Sequence, residues 1–426
     1  MSPRQLSELS YMQVRGKGFS KLSRVEEIVE RVRQRVERVG TEELPLTECL
    51  GRVLAVDVES PIDLPPFNRS AVDGYAVKAQ DTYGASIARP RTFRLKARVK
   101  VGEDVDVEVR EGEAVKVDTG SALPRGADAV VMVEYAKEEE GLVKVYAPVA
   151  PWQNVSRRGE DVKAGEVVLM RGRLLAPQDL GMAAMLGLDK LKVFKRPKVA
   201  IVPTGEELVE PGRPLEPGKV YNSNGYMLHA LARLYGAEPT LLPPIRGDEA
   251  SVSEALNLLG SYDTLIFTGG SSAGEEDVVP EVLTKHGELI AHGVALKPGM
   301  PAAVALVGGK PVFSLPGFPV ACMIAFEELV SPVLAWMAGM DEIPKRASVK
   351  AVMARRVPGT LGRRTYVRVK LARTPQGLMA EPLRISGSGV LSSVVKADGY
   401  VVIPEDQDVV EEGEEVEVKL YRGWVA

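Results

Sequence analysis

The chain is short of the residues that carry soft-metal and thiol chemistry. It has two cysteines, Cys49 and Cys322, and three histidines, His229, His286 and His292, in 426 residues. Both cysteines sit in apolar or helical surroundings, which excludes a disulfide framework and a cysteine-ligated zinc site. Three scattered histidines offer no His-rich centre, so any metal is expected to be a hard cation held by oxygen. Excess charge of one sign is also missing. The formal net charge is −4, which gives no basic field for nucleic acid or an anionic membrane surface. No apolar run reaches the ~20 residues of a membrane span. The N-terminal residues lack a signal-peptide core, so the expected location is the cytoplasm. No Ser or Cys stands in a recognisable pairing with a His, so a covalent nucleophile is not expected.

What is present is a soluble, multidomain pattern, with 45% hydrophobic and 26% charged residues. Residues 24–40 carry apolar side chains at Val25, Ile28, Val29, Val32, Val36 and Val39, the spacing of an amphipathic helix ended by Gly40. That helix should pack on a neighbouring domain or on a second copy of the chain. Residues 61–149 hold short alternating stretches, at Phe93–Val99, Val105–Val109, Ala129–Tyr135 and Gly141–Tyr146, which read as strands of a small β domain. A helix should begin after Pro177. Between Arg196 and Met340, apolar strand-type runs (Lys198–Val202, Thr264–Phe267, Ala302–Leu306, Val312–Leu315) alternate with helical ones (Gly225–Tyr235, Ser251–Leu259, Val278–Lys285), and a last helix spans Val320–Trp336. This predicts a mostly parallel sheet covered on both faces. From Ala347 onward, alternation at Val349–Met353, Tyr366–Val369, Tyr400–Ile403 and Glu415–Leu420 predicts a small β-barrel or sandwich.

Three turns follow apolar strands of the α/β segment: Pro203-Thr204-Gly205-Glu206-Glu207, Thr268-Gly269-Gly270-Ser271-Ser272-Ala273-Gly274 and Pro316-Gly317-Phe318-Pro319. All three belong at the carboxyl edge of the sheet, where open α/β folds bind ligands. The glycines can aim backbone N–H groups at an anion, with Thr268, Ser271 and Ser272 adding hydroxyl donors. A single such turn could merely connect a strand to a helix. Glu207, Asp248 and Asp277 lie just beyond the same strands. Carboxylates beside a phosphate cradle require a cation between them, which suggests Mg²⁺. Asp248 could equally cap the helix that follows it. Lys297, held by Pro298-Gly299, is either an oxyanion ligand or a surface lysine. A second region rich in turn residues, Pro65-Pro66-Phe67-Asn68-Arg69-Ser70-Ala71-Val72-Asp73-Gly74-Tyr75-Ala76, lies in the β domain together with Asp118-Thr119-Gly120. There Gly74 is read as permitting a tight turn at Asp73.

The runs PPFNRSAVDGYA, DTGSALPRGADAVV, PTGEEL, GGSSAGEEDVV, LKPGMP and LPGFPVA, with GSGVLSSVVKADGYVVIP near the end, occur in the order of the molybdopterin molybdenumtransferase family, which the chain resembles from Arg24 to Trp424. The resemblance implies a helical dimerisation domain in two pieces (1–60 and 150–195) and an inserted β domain (61–149). It also implies an α/β molybdopterin-binding domain (196–340) and a C-terminal β-barrel (341–426). It implies a homodimer whose active site lies between the α/β domain of one subunit and the β domain of the other. Asp73, Thr119, Glu207, Asp248, Asp277 and Lys297 would be catalytic. Thr204, Gly205, Gly269, Gly270, Ser272, Gly274, Pro298, Gly299, Pro316 and Gly317 would bind the pterin and phosphate. Lys297, Arg363 and Ser392 would hold molybdate, and Asp277 with Asp248 would hold Mg²⁺. The chain has Asn68 where many members have an acid, Met300 where many have Lys, and Gly293 where some have a further Lys.

The implied reaction inserts molybdate or tungstate into adenylylated molybdopterin with release of AMP. Positioning and electrostatics would drive it, with transient contacts to the adenylyltransferase and to acceptor molybdoenzymes. Three other readings suit the same motifs: ATP-dependent adenylylation of molybdopterin, a partner-binding scaffold, and a generic nucleotide-binding protein. The sequence does not separate molybdenum from tungsten. Its Pro, Arg and Glu content hints at a heat-tolerant source.

Overall fold

Unbroken apolar runs mark strands buried on both faces, and here they form the centre of the sheet. Lys198–Pro203, Thr264–Thr268 and Lys310–Leu315 are buried along almost their whole length. The structure, a computed structural model, describes residues 22–103, 106–269, 278–342, 346–375, 377–384 and 387–422. These fall into two compact units, one within Met1–Leu44, Gly51–Ala55 and Lys192–Ala426, the other within Pro45–Leu50 and Val56–Leu191.

In the first unit a six-stranded sheet runs in the order Glu238–Leu241, Lys198–Pro203, Thr264–Thr268, Lys310–Leu315, Ala303–Val307, Glu288–His292. The first four strands pair in parallel and the last two pairings are antiparallel, so only Ala303–Val307 runs against the rest. Alternate residues face two cores. Val199, Ile201, Ile266 and Phe313 pack with Leu228, Ile324 and Leu334, while Ala200, Val202, Leu265 and Phe267 pack with Val252, Val282 and Leu283. Sequence patterning overlooked the two edge strands. One carries Pro239, which an edge tolerates, and the other is a short antiparallel addition.

The segment Pro319–Met337 is long and apolar enough to cross a membrane, but its most apolar stretch is 83% buried inside the protein, as the central helix of the core. It is not the uniform α-helix predicted: Phe326–Val330 forms a π turn between Pro319–Ala325 and Ser331–Met337. The N-terminal helix packs on this core and covers Val25–Arg33, stopping well before Gly40. Val36 and Val39 are still drawn inward, but their backbone groups bond elsewhere. The Val36 carbonyl accepts from Trp336 Nε1 at 3.0 Å, and the Val39 N–H donates to the Met337 carbonyl at 2.9 Å.

The C-terminal strands close into a five-stranded barrel. Arg364–Thr374 is joined to Gly377–Arg384, Ser348–Met353, Glu415–Leu420 and Gly399–Ile403, and the last pairs back with the first. Gly377–Arg384 was not anticipated, since its Gly and Pro break the alternation. Leu296–Lys297 adds a short parallel strand at the Arg364 end. A buried ion pair, Glu327 with Arg346, fastens the barrel to the π turn. Arg346 also donates to the carbonyls of Leu420 and Tyr421.

The second unit holds a six-stranded sheet in the order Ala129–Met132, Gly74–Val77, Glu113–Val117, Arg91–Val99, Leu142–Val145, Ala136–Glu139. The strand expected to run to Tyr135 ends at Met132, in a 3₁₀ turn. Val105 lies outside the described residues, and of the strand expected there only an isolated bridge, Glu108 to Arg125, is found. The helix Pro177–Met185 starts on its proline as read, and Gly187 follows at φ +79.

Because Glu327 and Arg346 are paired away from water, removing one partner strands the other. Arg346→Met should cost roughly 3–5 kcal/mol, and Glu327→Leu with Arg346→Met should recover most of that loss. Urea denaturation followed by circular dichroism measures both. A double variant no more stable than the single one would contradict this role.

Candidate functional site

Three parallel strands end side by side, with Pro203, Thr268 and Leu315 in register. The turns beyond them are laced together. Thr204 N–H donates to the Thr268 carbonyl at 3.0 Å, and Gly269 N–H donates to the Leu315 carbonyl at 3.2 Å. Gly269 has φ +111, and a methyl group on it would lie 2.3 Å from the Thr204 carbonyl oxygen, so only glycine fits. Gly205, at φ +147, carries the Glu207 carboxylate folded over it; a Cβ there would sit 2.5 Å from both carboxylate oxygens. Above the turns opens a cavity of about 550 Å³ whose walls include Thr204, Glu207, Thr268, Gly269, Pro316 and Gly317. The structure thus gathers five of the predicted residues around one space. Gly270, Ser272, Gly274 and Asp277 lie outside the described residues.

The remaining wall was not predicted. Tyr221, Asn222, Ser223 and Asn224 enter at the start of the helix Ser223–Leu234, with Val220 supplying apolar surface beside Phe318 and Pro301 of the runs already singled out. Asn222 caps that helix by accepting from Gly225 N–H at 3.0 Å, and its own amide donates to Glu210 at 3.0 Å. The signal was legible, because Asn-Ser-Asn-Gly before a periodic apolar run is an N-terminus pattern. Cys322 lies 3.6 Å from Thr268 Oγ1, and burial pushes its thiol up to about 12, which makes it a neutral packing group.

Lys297 and Arg363 come together at the mouth of the barrel. Lys297 precedes a cis peptide to Pro298 and donates to Thr360 Oγ1 at 2.7 Å; Arg363 donates to Met300 Sδ at 3.6 Å. Gly299 has φ +121 and packs on Leu296, and Pro301 of the same segment lines the cavity. Among the described residues neither Lys297 nor Arg363 has a carboxylate partner. The next residue, Arg364, has three: Glu26, Glu328 at 3.0 Å and Glu405 at 3.2 Å. Burial opposes the Arg364 charge, but these carboxylates outweigh it and hold its pKa above the ordinary value. Ser392 is exposed in the helix Leu391–Lys396 and bonds to neither cation among the described residues. The chain just before it packs near the cavity: Ser388 accepts from Val320 N–H at 2.9 Å, and Gly389 lies against Phe318.

Asp248 caps the helix Glu249–Leu256, accepting from Ser251 N–H at 2.8 Å, and that bond holds its pKa below the usual carboxylate value. Asp73 and Thr119 belong to the second unit. Thr119 donates to Asp73 Oδ1 from its N–H at 2.7 Å and from its hydroxyl at 2.8 Å, which lowers the Asp73 pKa in the same way. The two loops are further zipped by Gly120 N–H to the Ser70 carbonyl and Ser70 N–H to the Ser121 carbonyl. Gly74 serves differently from the reading above. It lies in a strand at negative φ, and a Cβ there would fall 2.0 Å from the Val131 carbonyl oxygen, so close strand approach demands glycine.

No group of three or more His, Cys, Asp or Glu that could hold a metal exists among the described residues. Mg²⁺ does not need one, since one or two carboxylates with waters and substrate phosphates suffice. Glu207, on the cavity wall without a cationic partner among the described residues, fits that donor set.

Comparisons with known proteins agree with this geometry. Residues 23–187 match the family described as "MoeA N-terminal region (domain I and II)", residues 200–336 "Probable molybdopterin binding domain", and residues 350–421 "MoeA C-terminal region (domain IV)". A Methanocaldococcus jannaschii protein named for molybdopterin biosynthesis is 39% identical over 395 residues, 91% of this chain and 94% of that one. The molybdopterin molybdenumtransferase of Staphylococcus aureus (strain COL) is 32% identical over 398 residues, 93% and 95% of the two chains. The crystal structure of the molybdopterin biosynthesis MoeA protein from Pyrococcus horikoshii OT3 superposes with a TM-score of 0.82 at 37% identity, covering 94% of this chain and all of that one.

Capping and metal binding by Asp248 separate cleanly. Asn is as good a cap as Asp, so Asp248→Asn should leave stability within a few tenths of a kcal/mol, while Asp248→Ala loses ~1 kcal/mol. If Asp248 also serves a metal, Asp248→Asn should still weaken Mg²⁺ dependence, which an activity titration against Mg²⁺ reads directly.

Proposed function

The chain belongs to the molybdopterin molybdenumtransferase family, a transferase family of molybdenum cofactor biosynthesis, and from that premise we propose that the cavity beyond the three strand ends seats adenylylated molybdopterin while Lys297 and Arg363 hold molybdate or tungstate beside it. The observation that carries this reading is the pairing of an uncompensated cation cluster with a largely apolar cavity, joined by one segment, Lys297 to Pro301. Two cations without carboxylate partners among the described residues suit a tetrahedral dianion. The N–H groups of the glycine turns, with Thr204 and Thr268, suit the phosphates.

Glu207, with Asp277 and Asp248, would hold Mg²⁺, which when bound would neutralise charge developing on the phosphoanhydride. The chain's own residues would hold the dianion and the pterin in one geometry, so that the two dithiolene sulfurs displace oxygens of the oxyanion, which leave as water, while a water oxygen adds to the anhydride phosphorus, the P–O bond breaks and AMP leaves. No side-chain nucleophile is required. The apolar wall of Val220, Phe318 and Pro319 limits water around the reacting groups.

AMP release from adenylylated molybdopterin with Mg²⁺, with and without molybdate or tungstate, tests this directly. Oxyanion-dependent release that Asp277→Ala abolishes is expected. Arg363→Ala and Lys297→Ala should raise the molybdate KM by about tenfold or more with little change in pterin affinity, since each removes one charge-assisted contact. Wild-type protein that binds the pterin but releases no AMP with either oxyanion would defeat the proposal.

We further propose, from the family resemblance, that the protein is a homodimer in which Asp73 and Thr119 serve the site of the second copy. Co-refolded Asp73→Ala and Asp277→Ala chains should then recover about a quarter of wild-type activity, because each mixed dimer keeps one intact site of two. No recovery from the mixture would place Asp73 in the same working unit as Asp277.

A further inference from the structure

Phe318 stands in the turn between the strand Lys310–Leu315 and the helix Pro319–Ala325, on the wall of the cavity. Its placement goes against two local preferences at once. It occupies the N-cap of that helix, where Ser, Thr, Asn or Asp would accept from a free backbone N–H, and its side chain makes no such bond. The residue is also 64% exposed, and among the described residues no Phe, Tyr or Trp is more so. An aromatic side chain in water forgoes the burial through which it normally stabilises a fold. The fold thus gains neither a cap nor core packing from this residue.

The ring is held in place all the same. Asn224 Nδ2 donates to the Gly317 carbonyl at 2.8 Å, and the Phe318 carbonyl accepts from Cys322 N–H at 2.9 Å, so the peptides on both sides are tied. The backbone at Phe318 is extended, at φ −75 and ψ 128, as the following proline requires. One edge of the ring rests on Gly389, where a Cβ would lie 3.2 Å from Phe318 Cδ1 and 3.5 Å from Cε1, so the glycine leaves the ring its seat. That seat is fastened in turn, because the Ser388 carbonyl accepts from Val320 N–H at 2.9 Å. The rest of the side chain stays open, on a wall shared with Pro316, Pro319 and Val220.

We propose that Phe318 is a substrate-binding residue whose ring stacks on a planar heterocycle in the cavity. An open aromatic face on a rigid turn is what such a ring needs, since stacking asks for a flat partner and no hydrogen bond. The inference rests on the reading of this cavity as the site of adenylylated molybdopterin. That substrate offers two planar rings, the pterin and the adenine, and the same chemistry would receive either. At about 550 Å³ the cavity falls in the range that takes a ligand of this size. Stacking on Phe318 would place the ring and leave the glycine turns and hydroxyls to the phosphates.

Direct binding tests this without depending on turnover. Calorimetry on the full-length protein would measure AMP, ribose 5-phosphate, which lacks the adenine, and 6-hydroxymethylpterin. Phe318→Ala should weaken AMP or the pterin by about 10–100-fold and leave ribose 5-phosphate unchanged, and the ring that loses affinity is the one that stacks. Phe318→Leu, which keeps apolar bulk without a π face, should lose most of the same affinity, whereas Phe318→Tyr should retain it. The side chain is exposed, so none of these substitutions should unsettle the fold. An alanine or leucine variant that binds both rings as tightly as wild type overturns the inference while leaving the cavity reading intact, whether or not its oligomeric state changes. So does a Phe318→Ala protein that loses ribose 5-phosphate to the same degree as either ring, since the loss would then lie in the turn. If none of the three probes binds wild-type protein, the cavity reading fails and this inference with it.

Discussion

The site depends on how closely the ends of neighbouring parallel strands can approach. Gly269 packs its Cα against the Thr204 carbonyl with no room for a methyl group, in a backbone conformation that other residues seldom adopt. That contact brings the turns after Lys198–Pro203 and Thr264–Thr268 together and leaves the cavity above them. The turn after Lys310–Leu315 joins through the Gly269 N–H, and Asn224 bridges it to Thr268. Parallel pairing in register puts all three turns at one edge, so a short set of backbone bonds aligns residues far apart in sequence.

The barrel must be held against this sheet if the cations are to stand near the cavity. The π turn makes that attachment. Two consecutive acids, Glu327 and Glu328, both reach barrel-side arginines, Arg346 and Arg364. Buried ion pairs of this kind contribute little net stability once desolvation is counted, and their value lies in fixing one arrangement over others. Arg364 draws three carboxylates to itself, and the adjacent Arg363 and Lys297 are left with a hydroxyl and a thioether as neighbours. Charge paired with carboxylates and charge without such a partner among the described residues are thus separated between adjacent residues of one strand end.

This separation also explains what the sequence could and could not convey. The central strands, the glycine turns and the fold class were legible, because burial on both faces leaves unbroken apolar runs and tight turns leave glycine. The N-terminal helix was overextended, because Val36 and Val39 keep helical spacing while their backbone groups bond to Trp336 and Met337. Periodicity cannot register a tertiary bond made 300 residues away. Gly74 was rightly singled out as special but for a turn, whereas its need comes from the Val131 carbonyl across the sheet. Asn224 escaped notice altogether, since an amide in a helix's first turn reads as a capping neighbour until its partners are known. That Lys297 and Arg363 lack carboxylate partners among the described residues was equally hidden, because Arg363 and Arg364 look alike in sequence and only Arg364 meets Glu26, Glu328 and Glu405.

With a net charge of −4, the chain would have to hold the proposed anion locally rather than through its overall field. The Debye length at physiological salt is about 8 Å, so carboxylates more than one such length away scarcely weaken a dianion held by two cations. Glu26, Glu328 and Glu405 are already paired with Arg364. The cavity, by contrast, offers hydroxyls, amides and apolar carbon with a single carboxylate, Glu207, among its described walls. One segment, Lys297 to Pro301, belongs to both regions, so on the proposed reading it would couple the position of the oxyanion to the position of the ring. A shift of that segment would move both, which is how a protein without a nucleophile can make metal insertion depend on geometry alone.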